Sequence, residues 1–89
     1  MKAAIQTRKQ KLRKFLDPRF GLLDELVAEG VLSREDEAEI ESEKTVFKQN
    51  DRLIEIMADK SNEYHRKFLI AMTNTGQEHV VNYLTKHGS

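Results

Sequence analysis

The sequence predicts an all-α fold, a compact antiparallel bundle of six short helices. Three observations predict it. Apolar residues recur at spacings of three and four rather than two, the 89 residues include one proline and four glycines, and residues suited to capping helices leave connections of only two to five residues. A chain of this length builds one small domain around one core. With 38% hydrophobic and 34% charged residues it carries enough Leu, Ile, Val and Phe to pack rather than stay disordered.

The first helix is expected over about residues 3–16, where Ile5, Leu12, Phe15 and Leu16 form one apolar stripe and the rest is basic. Asp17 reads as the N-cap of a second helix, with Pro18 at its first position, where a missing N–H costs nothing. That helix would turn Phe20, Leu23, Leu26 and Val27 inward, leave Asp24 and Glu25 outside, and stop at Gly30. Ser33 opens a third, with Glu35, Asp36 and Glu37 at the positive end of its dipole. Its apolar content is thin, mainly Ala38 and Ile40, so Val31 and Leu32 must help to hold it.

Thr45 caps a fourth helix whose inward stripe is Val46, Phe47, Asn50, Leu53, Ile54 and Met57. Ser61 caps a fifth, carrying Tyr64, Phe68, Leu69, Ala71 and Met72. Thr75-Gly76-Gln77-Glu78 has the spacing of a capping box, and Val80, Val81 and Leu84 give the sixth helix its buried side. Helical spacing assigns Phe15, Phe20, Phe47, Phe68 and Tyr64 to core packing rather than to a ligand stripe, with Phe20 and Tyr64 the ones expected at a partly exposed edge.

The chemistry that is missing narrows the function. The chain contains no cysteine, hence no disulfide framework, thiolate nucleophile or cysteine zinc site, which fits an intracellular, cytoplasmic setting. No apolar run is long enough to span a membrane, and the N-terminal residues MKAAIQTRKQKLRKF have no signal-peptide core. His65, His79 and His87 are too far apart for a helical ligand pair at i and i+4, and no HExxH, GxSxG, GxxxxGK[ST] or GxGxxG motif occurs. No catalytic residue, metal or cofactor is expected.

Charge is balanced in sum, with fifteen bases against fifteen acids, but not in distribution. Residues 1–19 hold seven basic groups and one acid, a net of +6; residues 20–45 hold nine acids and two bases, a net of −7; residues 46–89 come to +1. A fold that keeps these stretches apart carries one patch complementary to another patch of its own kind, which invites head-to-tail association. The basic first helix also suits a nucleic-acid binder using Arg8, Lys9, Lys11, Arg13 and Lys14 on phosphates. The acidic second and third helices would repel that polymer and argue against it.

The stretches LLDELVAEGVLSREDEAEIES (22–42), FKQNDRLIEIM (47–57), FLIAM (68–72) and TGQEHVVNYL (75–84), in this order and spacing, resemble a caspase-recruitment domain of the death-fold superfamily. The resemblance runs from the basic first helix to His87, so the domain is expected over 1–87, with Gly88 and Ser89 a natural tail or a cloning remnant. Family members often have a Lys-Gly or Arg-Gly turn between helices four and five, where this chain reads Asp59-Lys60-Ser61-Asn62.

What the resemblance implies is a six-helix Greek-key bundle, with a first helix that is often bent, acting as a non-enzymatic homotypic interaction module in apoptosis or inflammation. Its partners would be other caspase-recruitment domains, in a caspase prodomain, an adaptor or a sensor, and its own copies in a head-to-tail oligomer; a membrane is not among them. Related domains assemble through a basic surface on helices one and four and an acidic surface on helices two and three. Carried over by position, the basic side is Arg8, Lys9, Arg13, Lys48 and Arg52, and the acidic side is Asp24, Glu25, Glu35, Asp36 and Glu39.

Overall fold

The computed structural model describes residue 5 and residues 7–18 and 21–85. Among them are six helices and no strand: α1 (Lys9–Phe15), α2 (Leu22–Ala28), α3 (Arg34–Glu41), α4 (Val46–Ala58), α5 (Asn62–Asn74) and α6 (Glu78–Thr85). Part of the expected first helix, Phe20, His87 and the 88–89 tail lie outside the described residues. Ile5 and Thr7 are helical, Arg8 leaves helical dihedrals at φ −106° and ψ 14°, and α1 begins at Lys9, so the leading helical segment is interrupted at Arg8. α1 packs on α4, α2 on α3 and α5, α3 on α4, and α5 on α6. None of these helices is long and apolar enough to cross a membrane.

The core is a single cluster to which every helix contributes. Leu12 of α1, Leu22 and Leu26 of α2, Ile40 of α3, Leu53 and Met57 of α4, Phe68 and Met72 of α5 and Val80 of α6 are all essentially inaccessible, with Ile5, Val31 and Leu32 beside them. Burial of a side chain of this size contributes about 1.5–3 kcal/mol, and helices of seven to thirteen residues need it, because such segments are marginal alone.

Several ends are set as the sequence predicts. Ser33 Oγ accepts from the Asp36 N–H at 3.0 Å while Asp36 Oδ2 accepts from the Ser33 N–H at 3.1 Å, a reciprocal capping box. Thr45 Oγ1 accepts from the Lys48 N–H at 3.1 Å. α2 ends at Gly30 with φ 76°, which directs the Val31 N–H to the Leu26 carbonyl at 2.9 Å and the Gly30 N–H to the Val27 carbonyl at 3.0 Å; a Cβ would be strained there. Ser61 occupies the N-cap position of α5 without a side-chain cap bond.

Other expectations are corrected. α2 does not begin at Asp17 and Pro18: residues 16–18 are not helical, and α2 starts after Gly21, which adopts φ 96°. The Asp17 backbone is engaged elsewhere, because its N–H and C=O are both bound by the amide of Gln77. Thr75 does not open α6. Its hydroxyl donates back to the Ala71 carbonyl at 2.8 Å and closes α5, and Gln77, not Thr75, precedes the first turn of α6.

Three inward faces also differ. In α3, Ile40 fixes the buried side, so Glu37, three residues earlier, lies beneath it and Ala38 points outward. In α4 the stripe of Asn50, Leu53, Ile54 and Met57 is buried, but Val46 and Phe47 lie in a first turn that overhangs the core and are 37% and 47% exposed. Phe15, expected inside, is 49% exposed and meets Tyr83 edge-on at 6.0 Å between ring centroids. Phe68 is buried and Tyr64 half-buried.

The buried polar groups bind helix ends together. Asn50 on α4, fully buried, donates from Nδ2 to the carbonyls of Arg13 at 2.8 Å and Leu16 at 2.6 Å, which α1 leaves without intrahelical partners. His65 on α5 donates from Nε2 to the Met57 carbonyl near the end of α4 at 2.7 Å. A carbonyl only accepts, so this bond fixes the proton on Nε2.

Candidate protein-interaction surfaces

The basic residues are placed by helical phase. Lys9 and Arg13 are one turn apart on α1, and both face Asp51 of α4, at 3.9 Å and 2.7 Å. The Arg13 guanidinium also lies over the Phe47 ring, 5.6 Å from its centroid. Arg52, one residue on, is paired with Glu39 of α3 and with Glu55 one turn along α4 at 3.0 Å. Lys48 is exposed and has no side-chain partner among the described residues.

Lys9 and Arg52 line one surface groove, and Lys48, Asp51 and Arg52 line another with Glu39, Glu43 and Glu55. Lys9, Arg13, Lys48 and Arg52 therefore share the α1–α4 face. Arg8 stands apart. Its guanidinium donates to the Tyr83 carbonyl and lies 5.2 Å from the centre of the Tyr83 ring, which ties the start of α1 to α6.

On the acidic side, Asp24 of α2 and Glu35 of α3 are exposed, and Asp36 is half-buried in its capping box. Glu25 accepts from Asn74 Nδ2 at 2.9 Å and so reaches toward α5. Glu39 of α3, expected on the acidic side, is paired across to Arg52 of α4, expected on the basic side. Behind the patch, Glu37 has its carboxyl raised above the ordinary 4.5. A hydrogen bond with Asp24 is the main cause, then burial, then the negative charges of Glu41 and Asp24, while Arg34 at 3.3 Å opposes them.

Sequence reasoning missed Asp51 and Glu55, the acids interleaved in the basic face. The signal was present: 48, 51, 52 and 55 lie three and four apart, on one outer side of α4. It also missed Glu37, which charge counting grouped with the solvated acids. Of the histidines, His79 is exposed on α6 and His65 is buried. Among the described residues no cluster of His, Asp or Glu could hold a metal ion.

What the described residues of these surfaces offer is charge: cations on α1 and α4 interleaved with Asp51 and Glu55, and the acids Asp24, Glu35 and Asp36 on α2 and α3. A search of curated proteins finds no match to this chain. The family model described as the caspase recruitment domain matches residues 2–87, nearly the whole chain. The chain therefore belongs to the caspase recruitment domain family of the death-fold superfamily, a family of domains that act by homotypic protein–protein interaction in apoptotic and inflammatory signalling.

Proposed function

We propose that this domain recruits other caspase recruitment domains, carried by a caspase prodomain, an adaptor or a sensor, by setting its α1–α4 basic face against the α2–α3 acidic face of the next domain. The observation that carries this reading is the segregation of accessible charge: Lys9, Arg13, Lys48 and Arg52 on α1 and α4, Asp24, Glu35 and Asp36 on α2 and the first turn of α3. Complementary faces steer encounter and fix register. A head-to-tail contact leaves one face unused at each end, so the same contact repeats into an open oligomer that concentrates partners in the cytoplasm.

Sedimentation velocity on two folded variants tests it. Arg13→Glu with Arg52→Glu breaks the basic face, and Asp24→Lys with Glu35→Lys breaks the acidic one. Each variant alone is expected to be monomeric, and a one-to-one mixture is expected to form a heterodimer that elongates no further, because it retains one intact face of each kind. Variants that keep wild-type helicity and remain as oligomeric as the wild type overturn the reading.

A further inference from the structure

The α1–α4 face is less basic than its cations suggest. Lys9 and Arg13 converge on one carboxylate, that of Asp51, and the three groups together carry a single positive charge. All three remain in reach of a partner, with side chains 34%, 22% and 35% exposed. We infer that Asp51 is a specificity-determining residue of this face: an internal counter-ion that holds Lys9 and Arg13 below their full attraction for an acidic partner and so sets how strongly the domain binds one. The inference deepens the proposed function and rests on it.

The physical argument has two parts. A partner carboxylate that docks on Arg13 at ion-pair distance lies within about 8 Å of the Asp51 carboxylate, where salt at about 0.1 M screens their repulsion only in part. The partner must therefore share the guanidinium with a like charge. Asp51 is also not needed to keep Arg13 in place. The Arg13 carbonyl is held by Asn50 Nδ2 at 2.8 Å, and its guanidinium lies on the Phe47 ring, so α4 secures the residue at its backbone and along its side chain. Removing the charge at position 51 while keeping an acceptor oxygen leaves the geometry and lifts the repulsion. Asp51→Asn does this.

The test measures one contact at a time. Arg13→Glu/Arg52→Glu serves as the partner with only its acidic face intact, and Asp24→Lys/Glu35→Lys as the partner with only its basic face intact. Affinity is measured with and without Asp51→Asn in the latter, after helicity and melting temperature are matched. The expected result is that Asp51→Asn tightens the heterodimer about two- to fivefold at 0.1 M salt, the range open to an exposed charge pair, with the gain lost near 0.5 M. A heterodimer that forms but is unchanged or weakened by Asp51→Asn overturns the inference and leaves the proposed function standing. Failure of the two partners to associate with or without Asp51→Asn overturns both.

Discussion

Gln77 holds Asp17 by both ends of its side-chain amide: Nε2 donates to the Asp17 carbonyl at 2.7 Å, and Oε1 accepts from the Asp17 N–H at 2.8 Å. The pairing has the form of a strand ladder made by one side chain. It joins the segment after α1 to the residue before α6, sixty positions apart in the chain. Gln77 is 5% exposed, so water does not readily replace it. Gln77→Ala strips both backbone groups of their partners and is expected to cost about 1 to 3 kcal/mol in urea unfolding. Gln77→Glu keeps the acceptor but sets a nearly buried carboxylate oxygen against the Asp17 carbonyl, and is expected to cost at least as much at neutral pH.

Position 37 gives stability a pH dependence of opposite sign to that of most acids. Because the folded state raises the Glu37 carboxyl above the ordinary 4.5, the native chain binds this proton more tightly than the unfolded chain. Below about 4.5 both states are protonated and the term is flat. As pH rises through the folded value, the stabilising difference is lost, since ionisation puts a carboxylate beside Asp24 and Glu41 in a buried position. Glu37→Gln retains a donor for Asp24 and has nothing to ionise. The difference in unfolding free energy between Glu37→Gln and wild type is expected to favour the variant increasingly from pH 4.5 to 7.5. A difference that is flat with pH would show that Glu37 is solvated like its neighbours.

Where the sequence succeeds, the cause of the structure is local. Ser33 and Thr45 cap because hydroxyl and backbone N–H lie three residues apart, and Gly30 ends α2 because only a glycine takes its φ without cost. Leu53, Ile54 and Met57 fall inside because their spacing admits one buried stripe. The failures share a different cause. Asp17 and Pro18 carry every local mark of a helix start, yet a side chain sixty residues away claims the Asp17 backbone. Thr75 has the spacing of a cap for α6 and instead closes α5. Asn50 could be placed on the inner stripe but not given its task, which exists only where the end of α1 meets α4. Charge counting separated a basic stretch from an acidic one, but it could not show that Glu39 and Arg52, assigned to different surfaces, are joined to each other.

That pairing separates Glu39 from the other acids in a way that can be measured. If the acidic contact is made by Asp24, Glu35 and Asp36, Glu39 contributes nothing to it and instead occupies a cation that belongs to the basic face. Both side chains are more than a third exposed, at 39% for Arg52 and 47% for Glu39, so the pair is screened and its loss should barely change stability, by about half a kcal/mol at most. Glu39→Gln is therefore expected to fold as the wild type does and to self-associate at least as strongly, because Arg52 keeps Glu55 but is released from its neighbour on α3. Asp24→Gln with Glu35→Gln, which removes charge in the same manner, is expected to weaken self-association at 0.1 M salt. Light scattering against concentration compares the variants directly. Should Glu39→Gln reduce assembly as much as the double variant, Glu39 acts with the acidic face, and an incoming domain must break its bond to Arg52 before binding.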